Sequence, residues 1–203
     1  MNKYAKAILL LALSFNLAAC SFFAKDPVRI NILPIVFNVN ETELENNTYK
    51  YPEKVALTEA KKLYESNFNL EFQILNAVYT TQPLNFTCSM WEPPPKVDVE
   101  GTTFINQCYK RLIVLIYIHR NMSTNLMGCA LLGGIIRGNT TLFLYLEEDP
   151  KTNIETLEHE MAHIFGADHQ EDGSLMSPAQ SEIIIATFSD ETKNQIEEVL
   201  EEL

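Results

Sequence analysis

Histidine is scarce in this chain, with four in 203 residues. Tryptophan occurs once, cysteine four times, and lysine plus arginine number 15 against 27 acidic residues. The shortage of basic residues leaves a formal net charge of −12, more negative still if Lys3 and Lys6 are removed with a leading segment that contains no acid. Such a surface repels nucleic acid and anionic bilayers, so no nucleic-acid partner is expected. The leading apolar run, Ala7 to Leu13, is too short to span a bilayer as a stable helix.

That run belongs to a recognisable segment. Residues 1 to 20 read MNKYAKAILLLALSFNLAAC, with lysines first, then the apolar stretch, then small residues before a cysteine. The pattern predicts an export signal over residues 1–19. Leu17-Ala18-Ala19-Cys20 resembles the bacterial lipobox. The resemblance implies lipidation at Cys20, a tether over residues 20–27 and attachment to a membrane through that lipid. Ser21, with no aspartate there, is similar to outer-membrane sorting, so an exported bacterial lipoprotein of the outer membrane is expected. The chain that remains is ample for one cored domain, residues 28–203, and thin for two.

Discounting Cys20 leaves Cys88, Cys108 and Cys129, an odd number for an oxidising compartment. One thiol is expected to stay free. Three pairings are open; the favoured one joins Cys88 to Cys108 across the loop holding Trp91 and Pro93-Pro94-Pro95, leaving Cys129 as a buried, inert thiol.

The few histidines are concentrated. Three of the four lie within HEMAHIFGADHQEDGSLMSP, residues 159 to 178. A helix turns about 100° per residue, so His159 and His163 project from one face a single turn apart. Leu157, Met161, Ile164 and Phe165 follow helical spacing on the opposite side and give this helix an apolar back. Gly166 tolerates backbone angles closed to other residues, which lets the chain bend and bring His169 toward the first two. Three nitrogens with one open position describe a catalytic zinc site, whereas a structural site is closed by four ligands, often thiolates. No cysteine is near enough in sequence to close this one. Glu160 sits about 100° around the helix from His159, where it can border the open position without being a ligand. Its expected role is general base, taking a proton from water and returning it to the leaving amine.

The eleven residues from His159 to His169 fit H-E-x-x-H-x-x-G-x-x-H at every fixed position and resemble the zinc-binding signature of the metzincin metallopeptidases. Ser174-Leu175-Met176-Ser177-Pro178 is similar to the family's Met-turn, at the short spacing of matrixins, with Met176 as its methionine. Gly128-Cys129-Ala130-Leu131-Leu132-Gly133 resembles the substrate-binding edge strand of adamalysins, which would put Cys129, Ala130 and Leu131 along the substrate. The resemblance implies an α+β fold: a mixed, five-stranded twisted sheet with two helices, and a small C-terminal subdomain ending in a helix.

The remaining sequence fits that scaffold. Residues 28–39 read as a strand interrupted locally at Pro34, and Pro52 opens a helix to about Phe68. Residues 70–80 and 111–118 read as strands, the second buried by its unbroken apolar run. Residues 129–136 and 140–146 read as paired strands around Gly138-Asn139. The zinc helix follows Pro150, and Ser189 caps a last helix with Ile196, Val199, Leu200 and Leu203 at helical spacing.

Departures from the family matter as well. Only His119 lies outside the signature, so the second, histidine-rich zinc site of matrixins cannot form and one catalytic zinc is expected. Glu147, Glu148 and Asp149 leave calcium open. No tyrosine follows Tyr145, so a Met-turn tyrosine at the zinc is missing. Residues 21–27 are too few for a propeptide, so activity without processing is expected. The leading reading is an exported, lipid-anchored zinc endopeptidase acting on proteins or peptides. The competing one is an adhesin-like binding lipoprotein, surface or periplasmic, on the same frame with little turnover.

Overall fold

The computed structural model describes residues 26–46, 50–82, 113–120, 127–138, 140–178 and 186–203. The expected signal at 1–19, Cys20, nearly all of the tether, Cys88, Cys108 and the loop between them lie outside the described residues. A six-stranded mixed sheet is the centre of the fold. Its strands are β1 (Val28–Phe37), β2 (Leu70–Ile74), β3 (Val78–Tyr79), β4 (Ile113–Arg120), β5 (Gly128–Ala130) and β6 (Thr141–Leu146). The main path runs β2-β1-β4-β6-β5, with β3 also on β1. Every pair is parallel except β5 with β6, so one edge is a short antiparallel strand.

Pro34 accounts for the sixth strand. On one side of β1, pairing with β2 ends at Ile32 and pairing with β3 starts at Ile35. Proline has no N–H to donate to a ladder, and it falls in the gap between these two pairings. The expected continuous strand over residues 70–80 is therefore two strands, and the sheet has six instead of the expected five.

Side chains alternate across a strand, so the residues sort onto two faces. Ile30, Ile32 and Val36 of β1, Val114, Ile116 and Ile118 of β4, and Leu142 and Leu144 of β6 are buried in the main core. The helices α2 (Pro52–Asn67), α4 (Pro150–Ile164) and α5 (Asp190–Glu201) contribute to this same cluster, and the one-turn α1 (Glu41–Glu45) lies at the end of β1. On the other face Leu33, Ile35, Phe37, Ile113, Tyr117 and Phe143 form a second cluster. Burial on both faces is why these strands read as apolar runs.

The helix that bears the histidines is fixed at both ends. Asp149 caps it, accepting from the Thr152 N–H at 3.0 Å, and Pro150 fills the first turn, where no N–H is required. Asn153 brackets the incoming strand: its Oδ1 accepts from the Glu147 N–H at 2.7 Å and its Nδ2 donates to the Glu147 carbonyl at 3.0 Å. Against the middle of α4 packs Tyr64 of α2, fully buried, with its hydroxyl donating to the Glu158 carbonyl at 2.7 Å. Its ring meets Phe68, Phe72, Phe165 and Phe188 at centroid separations of 5.1 to 5.9 Å.

The strand expected over residues 129–136 is corrected. Only Gly128–Ala130 is strand, and α3 (Gly134–Arg137) is a single helical turn bounded by Gly133 and Gly138, both at positive φ. Positive φ is closed to an extended strand and open to glycine, so the chain turns there. Among the described residues no helix is long and apolar enough to cross a membrane.

Candidate metal centre

His159 and His163 lie on the last turns of α4, opposite the fully buried Leu157, Met161, Ile164 and Phe165. After Phe165 the chain leaves the helix at Gly166, whose φ is +92°. There is also no room for a side chain, since a Cβ at Gly166 would sit 2.6 Å from Cγ2 of Val199 on α5. The bend brings His169 back over the helix. The three Nε2 atoms then lie 3.1 Å (His163 to His159), 3.2 Å (His159 to His169) and 3.2 Å (His163 to His169) apart.

Backbone carbonyls orient two of the rings. His159 Nδ1 is 2.9 Å from the Leu175 carbonyl and His163 Nδ1 is 2.7 Å from the Ala167 carbonyl. A carbonyl only accepts, so each Nδ1 carries the proton and each Nε2 presents a bare lone pair. Bare lone pairs at 3.1 Å repel unless a cation lies among them. Imidazole nitrogens about 2.0–2.1 Å from one zinc ion stand roughly this far apart, so the donor set fits a single ion. Among the described residues this is the only group of three histidine, cysteine or acidic side chains able to hold a metal. Glu147, Glu148 and Asp149 form no such group, and the Asp149 carboxylate is engaged as the helix cap.

Burial lowers the His159 pKa and pushes that of His163 down to about 4, since desolvation penalises the imidazolium. Neutral rings are what a metal requires. Glu160, one residue on, is buried and its carboxyl is pushed up to about 8 by desolvation.

Met176 is fully buried, and its turn serves two of the histidines. The Leu175 carbonyl holds His159, and the Met176 carbonyl accepts from the Gln170 N–H at 2.9 Å, just past His169. Ser174 shapes the turn, its carbonyl accepting from the Ser177 N–H at 3.1 Å. Sequence reasoning placed Met176 under the site without finding these carbonyls, because nothing in a residue's identity marks its backbone as a partner. It also missed Gln195 of α5, whose Oε1 accepts from the Asp168 N–H at 3.1 Å, and Gly133, whose N–H donates to the His163 carbonyl at 2.7 Å.

Of the edge-strand candidates, Cys129 and Ala130 lie in β5, paired with Phe143 and Leu142, while Leu131 follows the strand. Cys129 is disulfide-bonded. That overturns the expected free thiol at Cys129; its partner lies outside the described residues, as do Cys88 and Cys108. Spacing along a sequence carries no distance between strands and loops, which is why the state of Cys129 was misjudged.

A family model described as metallo-peptidase family M12 matches residues 52–196, well over half of the chain. The chain belongs to family M12. No curated protein matches it. Among solved structures it is similar to a chain described as "Structure of a chaperone-substrate complex", with a TM-score of 0.56 and 11% identity over 87% of this chain and 35% of that one. Identity this low carries the fold alone, and the M12 chain spans about a third of that protein's length. The mixed sheet, the helix with two histidines and the third histidine after a bend are consistent with membership of M12.

Proposed function

We infer that this M12 metallopeptidase is a metzincin-type zinc endopeptidase that hydrolyses peptide bonds in proteins. The observation that carries the reading is the convergence of the Nε2 atoms of His159, His163 and His169 beside the buried Glu160 side chain. His159, His163 and His169 would hold the ion. When bound, zinc supplies Lewis acidity, acidifying water and polarising the scissile carbonyl.

Glu160 does the proton work. Its carboxylate accepts a proton from the attacking water and delivers it to the leaving amine nitrogen, so no covalent intermediate forms. Burial raises its affinity for a proton above that of an ordinary carboxylate, which suits a group that must both take and give one. A peptide would lie extended beside β5, which is the strand next to β6 at the end of the sheet order among the described residues. Backbone groups of β5 and the ion would then share stabilisation of the carbonyl oxygen.

The test is hydrolysis of a mixed peptide library by the chain without residues 1–20, with and without a chelator, beside Glu160→Ala. Cleavage lost on chelation and in the variant is the expected result. A zinc-loaded protein that cuts nothing sinks the reading. Export and lipid anchoring through Cys20 rest on the lipobox resemblance, and labelled palmitate incorporation that survives Cys20→Ala would dismiss the anchor.

A further inference from the structure

The peptidase reading leaves open what holds Glu160 in place. Its neighbours on α4 fix the backbone, but a glutamate side chain has rotatable bonds that burial alone does not set to one geometry. Gly128 is the first residue of β5, and β5 passes directly over that side chain. A Cβ built on Gly128 would lie 2.7 Å from Cγ of Glu160, 3.0 Å from its Oε1 and 2.9 Å from Cγ2 of Thr156, one turn earlier on α4. No side chain fits there. The absent side chain therefore brings the strand backbone against the methylene and carboxylate of Glu160.

Gly166 also meets a side chain closely, but at positive φ and against Val199. Gly128 has no positive φ, so its backbone conformation is open to any residue and does not explain its identity. Gly138, close by in sequence, has the opposite character: φ is +74° and nothing lies within 4 Å of a Cβ built there. The β5 strand is also well anchored where it makes the contact. Gly128 is buried and pairs with Leu144, and Cys129 next to it is disulfide-bonded. A firmly held backbone can act as a stop for a side chain pressed on it.

We propose that Gly128 is a positioning residue for the reaction, its bare backbone setting the place of the Glu160 carboxylate. The proposal rests on the peptidase reading. The same strand that would line the substrate then also aligns the proton acceptor, so substrate and base share one reference frame. Displacing a catalytic group by about 1 Å can cost about a hundredfold in rate, and a Cβ at 2.7 Å must move something by a comparable distance.

The experiment compares the zinc-loaded full chain with Gly128→Ala and, as a control for a glycine-to-alanine change nearby, Gly138→Ala. In Gly128→Ala the expected result is a kcat lower by about tenfold to a hundredfold, with KM within about threefold and zinc content unchanged. Gly138→Ala is expected to keep kcat. An active wild type with unchanged kcat in Gly128→Ala overturns this role alone, as does loss of zinc from that variant. Failure of the wild type to cleave any peptide overturns the peptidase reading and the role with it.

Thermal melts of Glu160→Ala and Gly128→Ala/Glu160→Ala supply a second readout. Truncating Glu160 removes the 2.7 and 3.0 Å contacts, so Gly128→Ala is expected to lower Tm, or prevent folding, in the native background and to cost less in the Glu160→Ala background. Equal losses in both overturn the proposal.

Discussion

His159 and His163 stand one turn apart on α4, whereas His169 stands beyond Gly166 on a segment without regular structure. The first pair inherits its spacing from the helix, whose apolar back is fully buried against the sheet and α2. The third depends on distant pieces: Gln195 and Val199 of α5 against the bend, and the Met176 carbonyl on Gln170. Helical geometry is cheap to specify locally, while a turn has no ladder of its own and must borrow partners. Half of this centre is therefore secondary structure and half is tertiary.

Removing a helix-borne histidine is the most severe way to break that comparison. His163→Ala is expected to abolish both metal binding and peptide hydrolysis, read as zinc content after dialysis and as cleavage. The change also orphans the Ala167 carbonyl that now meets Nδ1. Retained stoichiometric zinc would show that the turn contributes more than the helix.

Gly166→Ala comes next, since it strikes the junction. The residue would be strained at φ +92° and its Cβ would stand 2.6 Å from Val199. Together these should cost about 2–4 kcal/mol of stability, measurable by urea unfolding, along with weaker metal binding. A Val199→Ala partner change should recover part of the loss, because the clash goes and the strain stays.

Gln195→Ala tests the turn with less force. Losing the acceptor for the Asp168 N–H is expected to weaken zinc affinity by about tenfold in a chelator competition, with α4 intact by far-UV circular dichroism. No change in affinity would show that Val199 packing alone sets the bend.

The smallest effect is a pH dependence confined to the helix half. In chelated protein the Glu160 pKa is raised to about 8, above its usual carboxylate value, so the native state holds a proton that the unfolded chain releases. Its contribution is complete at acid pH and fades as pH rises toward 8. His163 acts oppositely: with its pKa pushed down to about 4, stability falls as pH drops from about 6.5 through that value. Glu160→Gln should therefore raise the Tm of metal-free protein by a few degrees at pH 8, roughly 1 kcal/mol or more, and by less at pH 5. A gain independent of pH would remove the assignment to this carboxyl.

Much of the fold was legible because its elements carry strong local signals. Pro52, Pro150 and Ser189 opened helices where expected, and the apolar run at β4 read as a buried strand, which the structure pairs in parallel with β1. The error at residues 129–136 came from reading apolar character as strand through Gly133, whose positive φ turns the chain into the helical turn of α3. The error at Cys129 was of another kind, since three cysteines carry no distances among themselves.

The sequence by itself determined the pairing of His159 with His163 and the place of the bend after them, because a helical turn and a glycine are local features that follow from residue type and spacing. Tertiary structure alone decided which nitrogen of His159 and His163 faces the site, through the carbonyls of Leu175 and Ala167. It also decided that α5 braces the third histidine and that Gly128 lies against Glu160. Those contacts join backbone atoms and side chains remote in sequence, and only packing of the sheet, helices and turns brings them together.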